Sequence, residues 1–276
     1  MSSNTYRLNL RDRESRHQAR SKIEGVVRQA DLQRQDRILR FKGLLAGVFL
    51  FPLGLITAIT FGEMLWRALS RTPFWKSEEL VFFLVGGVAW LVTYLAGCRP
   101  VRTYVLGHEL SHLGVARAFG GRILGFKVTA QGGYVETNKT NTWITLAPYL
   151  LPFYSVVVLV LFGLAGILWN LHELRALPIP CVATQFKPVW FFYAALGLTW
   201  WFHATFTFKT VLACQSDLEH NGEFFSMLLI FLINVLLLVA LFLAASPAPG
   251  LGWVEVGRCW MATARGVWNF CAGAFF

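Results

Sequence analysis

The stretch Tyr104-Val105-Leu106-Gly107-His108-Glu109-Leu110-Ser111-His112-Leu113 decides how the rest of the chain is read. It contains His-Glu-Leu-Ser-His, an H-E-x-x-H pattern. On a helix, positions i and i+4 lie on one face, one turn apart, so His108 and His112 can offer two imidazole nitrogens to one metal ion. Glu109 stands beside them, placed to take a proton from a water at that metal. Catalytic zinc sites use three protein ligands and keep the fourth position for water, so a third ligand must come from elsewhere. The competing reading is two histidines and a glutamate on the polar side of a helix. The apolar flanks weigh against it, because ionisable residues in a membrane-buried setting mark function.

Composition supplies that setting. Of 276 residues, 55% are hydrophobic and only 14% are charged, and the mean hydropathy is +0.51. Ordinary soluble domains carry about 25% charged residues. Apolar runs of membrane-spanning length recur along the chain. The expected fold is a mainly α-helical, polytopic membrane protein, a bundle of about five spans plus a motif helix. The net charge of +10 is concentrated before the first span, where a cytoplasmic N-terminus places it. Nucleic acid is therefore not an expected partner. The five cysteines, Cys98, Cys181, Cys214, Cys259 and Cys271, form no C-x-x-C pair, which argues against a cysteine zinc site or a disulfide framework. The arginine-rich start lacks the apolar core of a cleaved signal peptide, so the first span is expected to serve as the targeting signal.

Three regions follow from this patterning. Residues 1–42 are a basic, polar segment, read as a solvated tail or, near residues 22–41, as a surface helix with a thin apolar stripe including Ile38 and Leu39. Residues 43–245 are the polytopic domain, with spans expected at 43–66, 79–97, 143–169, 189–213 and 223–245. Residues 246–276 are an aromatic tail, expected to be interfacial. Pro100 breaks the chain after the second span. A helix then runs from about Val101 to Phe119 and ends at Gly120-Gly121. From Ile123 to Gln131 the side chains alternate with a period of two, which predicts a strand. Gly132-Gly133 is expected to turn or bulge, and Tyr134-Val135-Glu136 to form a second short strand. An open strand edge beside a catalytic site suits an extended substrate that adds as another strand. Gly132, Gly133 and Tyr134 are therefore candidate substrate contacts; a plain extramembrane hairpin is the alternative. Asn234, inside the last span, reads as an interhelical hydrogen-bonding residue or a substrate contact.

A resemblance emerges at this point. His108-Glu109-Leu110-Ser111-His112, Ala116-Arg117, Gly120-Gly121, Phe126-Lys127-Val128 and Gly132-Gly133-Tyr134-Val135 follow one another closely. The series resembles the site-2-protease family of intramembrane zinc metalloproteases, over about residues 100–155. The resemblance implies a β-structured, glycine-containing segment lying against the membrane after the motif helix, then further spans. It also implies one Zn²⁺ ion whose activated water cleaves peptide bonds of membrane protein substrates within the lipid bilayer. The oligomeric state is left open.

The family's third ligand is an aspartate, usually in a Leu-Asp-Gly context with Asn-Pro nearby, and that wording is absent here. Two candidates stand in its place: Asp217, in Gln215-Ser216-Asp217-Leu218, and His203, in Trp201-Phe202-His203-Ala204. On one continuous helix the two would lie roughly 21 Å apart, at about 1.5 Å per residue, so both cannot bind one ion. A motif helix that does not cross the bilayer puts Asp217 on its own side; one that crosses makes His203 the reachable ligand. Each has another possible use, Asp217 as a helix cap and His203 as a core histidine. The expected mechanism uses His108, His112 and one of these as ligands, with Glu109 as general base and then general acid. A reading from another class is a catalytically idle membrane scaffold or binding protein that retains the same fold. A di-iron oxidase is disfavoured because the chain has only six histidines.

Overall fold

The computed structural model describes residues 28–71, 73–176, 185–213, 216–245 and 252–275. The expectations for residues 1–27 and for the break at 246–250 fall outside the described residues.

One helical stretch runs from Arg28 to Arg71. It comprises residues 28–45, a π turn at Ala46–Leu50 and helix α1, Phe51–Arg71. The expected boundary at residue 42 therefore lies inside a helix, and the described part of the basic segment is an extension of the first apolar helix. Helix α2, Glu78–Leu95, starts at Ser77, whose Oγ accepts from the Leu80 amide at 3.3 Å. Glu78 and Glu79 in its first turn complement the helix dipole. Helix α3, Val101–Ala118, carries the motif. It ends in a Schellman arrangement: Gly120 has φ +71, its amide bonds to the Arg117 carbonyl, and the Gly121 amide bonds to that of Ala116.

Strands β1, Ile123–Thr129, and β2, Gly132–Thr137, form an antiparallel hairpin. The turn falls at Ala130-Gln131, not at Gly132-Gly133 as expected. Gly132 begins β2 with φ +147, a backbone that favours glycine. The remaining elements are α4, Thr142–Leu150, α5, Phe153–Leu168, α6, Pro188–Leu212, the short α7, Ser216–Asn221, α8, Glu223–Ala245, and α9, Trp253–Phe275. Two-residue strands at Arg175–Ala176 and Gln185–Phe186 pair in the connection before α6.

Among the described residues, three helical stretches are long and apolar enough to cross a membrane, or four if α4 and α5 are counted as one broken span. The apolar runs of the sequence predict about five. The expected span 143–169 is bent by 72° between α4 and α5. Pro152 lacks an amide hydrogen and disfavours a helical conformation at Leu151, which adopts φ −110 and ψ 111. The aromatic helix α6 exists where expected but is not among the apolar stretches.

Helix α6 packs most closely on α2. Glu78 accepts from Lys187 Nζ at 2.6 Å and from Trp190 Nε1 at 3.0 Å. Trp90 Nε1 donates to Thr205 Oγ1 at 3.1 Å at the other end. These contacts keep the same order along both helices, so α2 and α6 run parallel. Glycines allow the approach: a Cβ on Gly86 would fall on the Ala194 carbonyl, and one on Gly197 on that of Phe83. Beyond Trp90, the rings of Phe202 and Phe206 form an aromatic cluster with Tyr94, Tyr104 and Tyr154. This cluster holds the start of α3 against the end of α6. A second core joins Ala46, Leu146, Tyr149, Leu218, Phe225 and Leu229. Helix α9, expected to be interfacial, packs on α1, where Trp260 Nε1 donates to Thr57 Oγ1 at 3.1 Å. Much of the outer helix surface is apolar, with Phe49, Val88, Leu161 and Phe231 exposed.

Candidate metal centre

The helical spacing of α3 places His108 and His112 on one face, with ring centroids 4.9 Å apart. The parallel course of α2 and α6 returns the chain to the end of the bundle where α3 starts. Helix α7 therefore begins beside the motif. Asp217 Oδ2 lies 3.7 Å from His108 Nε2 and 3.6 Å from His112 Nε2. One ligand atom from each of the three residues lies within 4.8 Å of the others, a group that can hold a metal ion. Two atoms bound to one tetrahedral zinc stand roughly 3.4 Å apart, given bonds of about 2.0–2.1 Å. The group needs to contract by only a few tenths of an ångström on each observed edge.

The imidazoles are oriented for this task by their other nitrogens. His112 Nδ1 donates to the Ile144 carbonyl at 2.7 Å, which leaves the Nε2 lone pair free. His108 Nδ1 lies 3.3 Å from the Tyr104 hydroxyl, which in turn is 2.9 Å from Thr210 Oγ1. Tyr104 stacks on Phe206 at 4.4 Å between centroids, so the aromatic cluster fixes this partner as well. On the third side the Tyr149 hydroxyl donates to Asp217 Oδ2 at 3.3 Å. Burial alone would raise the Asp217 carboxyl. The hydrogen bonds and charges of His108 and His112 outweigh it and hold that carboxyl well below the usual range.

Glu109 is only 6% exposed. Burial lifts its carboxyl above the ordinary range; His108 and His112 pull the other way, and Asp217 adds to the rise. Strand β2 covers it. A Cβ on Gly133 would stand 2.7 Å from Glu109 Cγ and 2.6 Å from the Lys127 carbonyl oxygen. The three clustered residues and Glu109 line a cleft of about 520 Å³, together with Gly132, Gly133 and Tyr134.

His203, the other candidate ligand, is not in the group. It is 8% exposed, is not among the lining residues of the cleft, and borders a small space of about 20 Å³ on the other side of His108, with Ser111, Pro148 and Tyr154. Asn234 does not line the cleft either. Its amide donates to the carbonyls of Tyr149 and Ile230, at 3.0 and 2.9 Å, which makes it an interhelical tie. Tyr149, Tyr104 and Asn221 join the site without a motif in the sequence that marks them. Tyr149 stands between Pro148 and Pro152, a pairing that could have marked a break in the expected span and hence a polar role. Asn221-Gly222 is a helix-ending pair that could have shown how tightly Asp217 is held.

Comparisons with protein-family models, with curated proteins and with solved structures found no match.

Proposed function

We propose that this chain is a membrane-embedded zinc metallopeptidase of the site-2-protease type, acting on membrane protein substrates. The observation that carries the reading is the convergence of His108, His112 and Asp217 beside a buried Glu109. Two histidines and a carboxylate are a donor set that zinc accepts, with a position left for water. Bound zinc supplies Lewis acidity and brings water to ionise near neutral pH.

The chain's own residues do the rest. The Glu109 carboxylate takes the proton of the attacking water and returns it to the leaving amine. Tyr149 and Ile144 keep Asp217 and His112 aimed at one point. The β2 backbone along the cleft suits an extended peptide, because main-chain groups pair without regard to side chain. The apolar helices and their exposed apolar faces support a bilayer location, where an unwound substrate segment needs such a partner.

The test uses purified protein in bilayer nanodiscs. About one zinc per chain, cleavage of a transmembrane reporter peptide, and loss of cleavage in Glu109→Gln with zinc retained are the expected results. Zinc binding without cleavage of any reporter in a transmembrane peptide library would favour an idle scaffold.

A further inference from the structure

We propose that Asn221, oriented by Lys42, is a positioning residue for Asp217, so that the helix preceding α1 sets the metal affinity of the centre. The inference rests on reading His108, His112 and Asp217 as a metal centre.

Asn221 is 2% exposed, and all four of its amide hydrogen-bonding positions are used. Its Oδ1 accepts from Lys42 Nζ at 2.7 Å and from Thr142 Oγ1 at 2.9 Å. Its Nδ2 donates to Thr145 Oγ1 at 2.6 Å and to the Asp217 main-chain carbonyl at 3.2 Å. Lys42 Nζ also donates to Thr142 Oγ1 at 3.1 Å.

The chemistry of these partners is unequal. The two threonine hydroxyls can donate or accept, so they tolerate either orientation of the amide. An ammonium can only donate. Lys42 on one side and the Asp217 carbonyl, which can only accept, on the other therefore set the amide oxygen toward the N-terminal helix and the NH₂ toward Asp217. With the amide reversed, NH₂ would meet ammonium and the Asp217 carbonyl would meet an oxygen.

This matters because α7 has six residues, too few to hold a helix without outside support. Its anchors come from α4, through Thr142 and Thr145, and from the N-terminal helix. Beside Lys42, Leu39 Cδ2 lies 3.6 Å from where a Cβ of Gly222 would stand, at the corner where α7 meets α8. Gly222 has φ +86, which makes that corner sharp. The ammonium also lies 5.5 Å from the centre of the Phe225 ring just beyond it. A shift of the N-terminal helix would thus act directly on the helix that carries Asp217.

Zinc affinity of the full-length protein in nanodiscs, measured by competition with a chelating indicator, tests this. Lys42→Met and Asn221→Leu are each expected to weaken binding about tenfold, as loss of a group that orients a ligand does. Lys42→Arg, which keeps a donor-only cation, should stay within about threefold of wild type. The double variant Lys42→Met/Asn221→Leu should bind as Asn221→Leu does, because Lys42 acts through Asn221. The unfolding temperature of metal-free Lys42→Met should match that of metal-free wild type, which a merely structural role would not allow. Unchanged affinity in Lys42→Met, additive losses in the double variant, or a lowered metal-free unfolding temperature would each overturn the inference while leaving the metal centre standing. Absence of zinc binding by the wild type would overturn both.

Discussion

Gly133 lies against Glu109 with no room for a side chain: a Cβ there would be 2.9 Å from Glu109 Oε1 and 2.6 Å from the Lys127 carbonyl oxygen. The second contact is with backbone, which cannot swing aside. Gly133→Ala is therefore expected to push β2 or the Glu109 carboxylate out of place. Reporter cleavage should fall by about 100-fold, as for displaced catalytic geometry, with zinc content unchanged. Normal cleavage in Gly133→Ala would mean that β2 does not hold Glu109 in its working position.

Glu109→Gln separates proton transfer from metal binding. The amide keeps the size of the carboxylate but takes no proton. Turnover is expected to drop by about 10²–10⁴, with one zinc per chain retained. Metal analysis and single-turnover cleavage on the same sample check both halves.

The third ligand is open to a direct comparison. Asp217→Ala should remove bound zinc, because it takes away one of three convergent donors. His203→Ala should leave zinc content at wild-type level, since His203 is not one of the three convergent donors. The reverse pattern in metal analysis would overturn the assignment.

The α2–α6 crossing yields a stability prediction. Gly86→Val would drive a side chain into the Ala194 carbonyl and the Leu198 amide nitrogen. Overpacking of this kind costs about 1–3 kcal/mol, and the upper end is expected where the added side chain meets backbone. Gly163→Ala, on α5, meets nothing within 4 Å and should be neutral or slightly stabilising, as alanine is the better helix former. Thermal unfolding of the two variants in the same detergent tests the contrast.

Some of this was legible before any fold was known. The i, i+4 pair needs only a helix, and Val101 to Ala118 forms one from local preference, with Gly120 ending it. The hairpin was legible from its alternation, because a period of two needs no partner to be recognised. Its turn was misplaced by two residues, since Gly132 and Gly133 serve different ends. Gly132 adopts a positive φ at the strand start, whereas Gly133 makes room for Glu109, a contact no local pattern reports.

By itself, then, the sequence determined the motif helix, the hairpin and the apolar character of the bundle, because each depends on residues a few positions apart. The tertiary structure alone brought Asp217, and not His203, into a group with His108 and His112. That grouping depends on α6 running parallel to α2 and on the 72° bend between α4 and α5. Only the path of the whole chain brings Asp217, from the far half of the sequence, within 3.6 Å of His112. The close glycine contacts that permit this path, and the Lys42–Asn221 tie that steadies its end, join residues with no neighbourhood in the sequence. No local propensity encodes them.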